Sequence, residues 1–213
     1  MNVDAVILRL LEEEAAATSK YVNEVANLFR EGLSLRELVP LLVHPDPKVA
    51  AAGAWIASEV TNERRGRDLL AVLAKHLTHQ DPAVRFYALT SVAAIAGGDD
   101  WREILAVLDC LVDENSGVRR HALAQVALMP DASFLGSVTQ REQPAASLLL
   151  EGVSRDQILR ALRSASKLEQ RLAVLGAIRH WGEDNEFIVE VEGLCDDEVR
   201  QKLPSLPRGM AWT

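Results

Sequence analysis

The chain repeats itself, first after 35 residues and then after 34, and a fixed period of that size commits a sequence to a stack of like units. Sliding by 35 lays Leu35, Leu38, Leu42, His44, Asp46, Pro47 and Val49 onto Leu70, Leu73, Leu77, His79, Asp81, Pro82 and Val84. Sliding the second unit by 34 lays Leu70, Leu73, Leu77, Asp81, Val84, Arg85, Ala88, Leu89 and Val92 onto Ile104, Val107, Leu111, Asn115, Val118, Arg119, Ala122, Leu123 and Val126. Within a unit the apolar positions recur at helical spacing, broken once by a proline or a small polar residue, so each unit reads as a helical hairpin. Aromatic residues are only 5% of the chain. With few strand formers beside abundant Leu and Ala, the fold class expected is all-α.

The helix boundaries carry their own signals. Ser34-Leu-Arg-Glu37 has the spacing of a capping box, in which the serine oxygen takes the Glu37 N–H and the glutamate returns the bond, and Asp100-Trp-Arg-Glu103 offers a similar start. The second helices open at Asp46-Pro47 and Asp81-Pro82, with Asp as N-cap and Pro where its missing N–H costs nothing; Asn115 takes the same place in the third unit. Val84, Ala88, Val92, Val118, Ala122 and Val126 share one face of their helices and are the expected core.

The motifs Asp46-Pro-Lys-Val49, Asp81-Pro-Ala-Val-Arg85, Asn115-Ser-Gly-Val-Arg119 and Asp196-Asp-Glu-Val-Arg200, each after a Leu-rich helix, resemble those of the HEAT-repeat family. The resemblance implies a short right-handed α-solenoid of about five hairpins. It also implies an Asp–Arg ladder between neighbours through Asp81, Arg85, Arg119, Asp196 and Arg200, from which the first unit departs because Ala50 replaces its arginine. The organisation expected is a capping helix over 1–32, with its helix from Asp4 to Arg30, then three regular hairpins over 33–129. A degenerate repeat over 130–182 and a truncated repeat and tail over 183–213 follow. In the degenerate stretch, Ser154 starts a helix to about Ser164, another runs from about Leu168 to Trp181, and a short one lies around Ala145 to Leu150.

Few residues suggest chemistry. His76 and His79 lie three apart on one helix face, but no third ligand has a forced position beside them, and His79 aligns with His44. A histidine repeated at a helix C-terminus reads as a partner of the helix dipole. Cys110 falls at the position of His76 and reads as a small apolar residue, and two cysteines 85 positions apart make no disulfide framework. No phosphate loop, nucleophile elbow or zinc-protease motif occurs. No catalytic residue, metal or cofactor is assigned. The short N-terminal apolar stretch carries Asp4 and Arg9 and gives no membrane segment, so the expected location is the cytoplasm and no membrane partner is expected.

The faces opposite the core are more informative. Stepping 100° per residue from the valine of each second helix, the positions two, six and nine residues on lie away from the core side. They hold Ala51, Trp55 and Ser58, then Phe86, Thr90 and Ala93, then Arg120, Ala124 and Ala127. The family resemblance implies that second helices line a concave surface, which would bring Trp55, Phe86 and Arg120 into a groove with Tyr87 and His121 on its edge. Large aromatic and arginine side chains dominate binding hot spots. The competing reading is that the N-terminal helix folds over Trp55.

Charge narrows the partner. The formal net charge of −8 argues against nucleic acid and anionic membranes. Eight acids and no base occupy 183–199, and six bases face two acids over 155–179; both runs read as solvated helix faces, the acidic one able to steer a basic partner. The segments Gly53-Ala-Trp-Ile-Ala-Ser-Glu59 and Val84-Arg-Phe-Tyr-Ala-Leu89 resemble those of HEAT proteins encoded beside secreted toxins. That implies an immunity protein, a non-catalytic module that binds and neutralises a basic toxin through Trp55, Glu59, Phe86, Tyr87, Arg120 and His121. HEAT-like alkylpurine DNA glycosylases are similar in size and fold and would cast Trp55, Asp113, Arg119 and Arg120 around a damaged nucleotide. An assembly scaffold and a bilin-lyase-like protein are further readings of the same repeats.

Overall fold

A computed structural model of the chain describes residues 3–12, 20–62, 65–139 and 144–206. Among them there is no strand, only an isolated bridge between Asn62 and Arg65. The chain divides into two compact units, residues 1–96 and 97–213.

The first unit holds α1 (Val3–Glu12), α2 (Lys20–Arg30), α3 (Val39–Leu42), α4 (Pro47–Val60), α5 (Leu70–His76) and α6 (Pro82–Ile95). Short 3₁₀ turns, Leu35–Leu38 and Arg67–Leu69, lead into α3 and α5. The pairs α3/α4 and α5/α6 are the first two hairpins of the repeat, and α4 packs against α1, α2, α3 and α6. The stretch expected as one capping helix contains α1 and α2; residues 13–19 lie outside the described ones.

The second unit holds α7 (Trp101–Asp109), α8 (Ser116–Leu128), α9 (Ala132–Thr139), α10 (Arg155–Leu162), α11 (Lys167–Trp181), α12 (Asn185–Leu194) and α13 (Asp197–Lys202). The pair α7/α8 is the third hairpin. Around Ala145 the helical turn is 3₁₀, Pro144–Leu149. It packs on α11, which also contacts α8, α10 and α12.

The Asx caps form as the sequence leads one to expect. Asp46 Oδ1 accepts the Lys48 N–H at 2.8 Å, Asp81 Oδ1 the Ala83 N–H at 2.7 Å, and Asn115 Oδ1 the N–H groups of Gly117 and Val118 at 2.9 and 3.3 Å. Ser154 and Gln157 form a full capping box at the start of α10. The box expected at Ser34 is replaced by another arrangement: the hydroxyl accepts from Arg36 N–H at 3.4 Å, while Glu37 N–H goes to the Ser34 carbonyl at 3.0 Å. The cause is the 3₁₀ start, whose tighter turn supplies a backbone acceptor for Glu37. Asp100 does not cap α7 with its side chain; its carboxylate accepts the Gly97 N–H at 2.7 Å.

Val84, Ala88, Val92, Val118, Ala122 and Val126 are all buried. The repeat register is therefore the packing register. The repeat arginines hold backbone oxygens: Arg85 donates to the carbonyls of His79 and Gln80 at 2.7 and 3.1 Å, Arg119 to those of Asp113 and Glu114 at 2.7 and 3.0 Å, and Arg200 to those of Cys195 and Glu192 at 2.8 and 3.0 Å. Each guanidinium thus grips the turn before its own helix. The acceptors come from the helix end and turn just before it, where carbonyls lack intrahelical partners.

Candidate protein-interaction site

In the first unit the sequence-derived site residues sit on α4 and α6. Trp55 does not project outward: it is 9% exposed, and every residue of α4 from Val49 to Ala57 is buried. A helix apolar all round must be covered all round, and α1 and α2 supply the cover on α4 that a two-layer hairpin lacks. Glu59, four residues on, is exposed and ion-paired with Arg30 of α2 at 2.8 Å. Phe86 and Tyr87 are half-buried on α6 and meet edge to face, with ring centroids 5.4 Å apart. Partial burial pushes the Tyr87 phenol above its ordinary range.

In the second unit Arg120 is exposed on α8 and His121 is half-buried. Burial, reinforced by the positive charge of Lys202, pushes His121 down to about 4, so its ring is neutral at physiological pH. The neighbouring Arg119 is committed to the fold, with Nε on Glu198 at 2.8 Å besides its two carbonyls. Asp113 Oδ1 accepts the Asn115 N–H at 2.7 Å. Two of the four residues cast for nucleotide handling, Asp113 and Arg119, therefore have structural contacts.

The histidines act locally. His44 and His79 accept the N–H groups of Asp46 and Asp81 on Nδ1, at 3.1 and 3.0 Å, which requires the proton on Nε2. This replaces the expected dipole contact: the ring is an acceptor in the turn, the job Asp113 performs in the third hairpin. His76 is buried, stacks on His79 at 5.9 Å and places its nitrogens 2.8 and 2.6 Å from the carbonyls of Val72 and Leu42. Among the described residues no group of three His, Cys, Asp or Glu could hold a metal ion. Cys110 and Cys195 are buried, and burial pushes the Cys195 thiol up to about 12.

The two charge runs are only partly solvated. Arg171 and Arg179 of α11 are buried. Arg171 donates to Glu198 at 2.9 Å and to the Leu111 carbonyl, and Arg179 pairs with Asp131 and donates to the Met129 carbonyl at 2.8 Å. From the acidic run, Asp184 caps α12 and pairs with Arg155, Asp196 caps α13, and Asp197 pairs with Arg200 at 2.7 Å. Glu183, Glu186 and Glu190 are exposed. Between the last two, Val189 is 66% exposed, and at Gly193, one turn on from Glu190, an added Cβ would meet nothing within 4 Å. Local spacing had not singled out this α12 face.

Residues 35–128 match the family described as HEAT repeats. This stretch of the chain belongs to the HEAT-repeat family. The repeats span the hairpins α3/α4, α5/α6 and α7/α8. Among solved structures, an engineered protein known from its crystal structure is 20% identical, with 79% of this chain and 76% of that chain covered and a TM-score of 0.45. None of the curated proteins matches. HEAT repeats make helical modules that bind proteins. Among the described residues no helix is long and apolar enough to cross a membrane.

Proposed function

We propose that this HEAT-repeat protein is a non-catalytic cytoplasmic binding module that captures a basic protein partner, and that the partner is a toxin neutralised by being bound. The observation that carries the reading is the outward face of α12, where Glu186, Val189, Glu190 and Gly193 follow at helical spacing. An exposed valine between carboxylates, beside a glycine that leaves room for another backbone, suits a partner segment that is both basic and apolar. The net charge of −8 favours rapid encounter with such a partner. Phe86 and Tyr87 supply aromatic surface in the first unit, with Glu59 exposed on α4. Arg120 and His121 keep their proposed part in the second unit, and Trp55 supports binding from beneath by filling its buried place.

The test is a calorimetric titration with the product of the adjacent gene. Reversing Glu186 and Glu190 to Lys should weaken binding at least about tenfold, mostly through slower association that salt also suppresses. Replacing Phe86 by Ala should cost about 2 kcal/mol of affinity. Unchanged affinity in both proteins would remove the assignment.

A further inference from the structure

Within the second unit, α10, the first turn of α11 and the 3₁₀ turn Pro144–Leu149 border an open pocket of about 500 Å³. Leu148 and Ala161, both buried, and half-buried Ala145 form the apolar part of its lining. Gln157, Arg160 and Glu169 are polar groups on the same lining. Gln157, Arg160 and Ala161 follow at steps of three and one, which sets them on one face of α10. Glu169 lies in the first turn of α11, where Ser166 Oγ accepts its backbone N–H at 3.3 Å.

Each polar group is tied to the fold through one atom and keeps others to spare. Gln157 Oε1 accepts the Ser154 N–H at 2.7 Å, which leaves both donors of its amide nitrogen. Arg160 Nε donates to the Asp156 carbonyl at 3.3 Å, one turn back on α10, which leaves the four N–H groups on its Nη atoms. Glu169 Oε2 accepts the Ser164 hydroxyl at 2.5 Å, which leaves its other oxygen. Those remaining donors and that oxygen have no partner among the described residues. Arg160 and Glu169 thus line one pocket without pairing with each other, one anchored to its own helix and the other to the turn between α10 and α11.

One positive and one negative group, held apart beside apolar surface, are satisfied together only by a ligand that carries both charges. A lone carboxylate on Arg160 would leave Glu169 as an unpaired anion beside it, and a lone amine on Glu169 would leave Arg160 without a partner. We propose that this pocket binds a free α-amino acid with a compact aliphatic side chain. Its carboxylate accepts from the Nη groups of Arg160, whose planar fork fits a carboxylate, and from the Gln157 amide; its ammonium donates to Glu169; its side chain rests on Ala145, Leu148 and Ala161. The pocket volume falls within the range of small-ligand sites, roughly 300–1,000 Å³.

The experiment uses the full chain and leucine as probe, in low-salt buffer at pH 7.5. Amide resonances of Leu148, Ala161 and Glu169 should shift saturably with a millimolar or tighter dissociation constant. Arg160→Gln and Glu169→Gln should each weaken that binding at least about tenfold, with the far-ultraviolet circular dichroism spectrum unchanged, whereas Arg36→Gln in the first unit leaves it intact. Arg160 is an exposed side chain, so its variant remains informative if replacing Glu169 loosens the turn at Ser164. The ligand can be changed instead of the protein: leucinamide, without the carboxylate, and N-acetylleucine, without the ammonium, should each bind at least about tenfold more weakly than leucine. N-acetylalanylleucine, which mimics the end of a protein chain, should not displace leucine. Absence of saturable shifts, shifts confined to residues 3–95, undiminished binding by the Arg160→Gln/Glu169→Gln double variant, or an acetylated ligand bound as tightly as leucine would overturn the proposal.

Discussion

Helix α4 of the first unit and helix α11 of the second are both buried through their middle turns, but their chemistry differs. From Val49 to Ala57 α4 offers small apolar residues, Trp55 and Ile56, and no charge; from Arg171 to Arg179 α11 begins and ends its buried stretch on an arginine. Each has one central glycine where a neighbour comes close: Leu41 at Gly53, the Leu148 carbonyl at Gly176. Between its small residues α4 is held by close apolar contact. The arginines of α11 instead reach outward to carbonyls that end other helices, at Leu111 and Met129, and to the carboxylates of Glu198 and Asp131. A buried helix can thus be secured either by the closeness of its neighbours or by charged hydrogen bonds to their ends, and the two modes should fail differently.

The largest effect should come from breaking the charged mode. Arg171→Leu leaves Glu198, one of whose oxygens is already buried without a partner, to Arg119 alone. The expected loss is about 3–5 kcal/mol in a urea titration. Replacing Glu198 by Leu in the same protein should recover part of it, because the stranded carboxylate is then gone. The apolar mode should break by crowding: Gly53→Ala places a Cβ 2.9 Å from Leu41 Cβ, and about 1–3 kcal/mol should be lost. No change in melting temperature would mean that α3 can withdraw from α4 at no cost.

The smallest effect separates the two units by pH. His121 has a folded-state value of about 4, below its ordinary 6.5, so the unfolded chain binds the proton more readily. Its contribution is present above pH 6.5 and is lost as pH falls from there toward about 4. The wild type should lose on the order of 1 kcal/mol more than His121→Gln between pH 7 and pH 5, measured by denaturant titration at each pH. Equal losses would place His121 in a more solvated setting.

What could be read from the sequence was local or periodic. The Asp46, Asp81 and Asn115 caps and the burial of Val84 and Val118 follow from spacing over a few residues, repeated three times. Trp55 falls on the groove side only if a helix has one buried face, as the helical wheel assumes; its burial, with α1 and α2 packed on α4, agrees instead with the competing reading in which the N-terminal segment covers it. Arg171 and Arg179 read as solvated bases in the sequence because their carboxylates lie 27 and 48 positions away. The outward face of α12 needed the structure too, since an eight-acid run cannot say which of its members are already spent on caps and ion pairs.

The arginine grip on the interhelical turns bears on how these repeats can drift. Arg85 and Arg119 reach carbonyls five and six residues back, so one residue added to or removed from either turn would shift both acceptors away from the guanidinium that holds them. Length variation is thereby barred from the turn inside the second and third hairpins. The first hairpin, with Ala50 at that position, carries no such ruler and is the one whose inner turn can change length without losing a side-chain grip on its carbonyls.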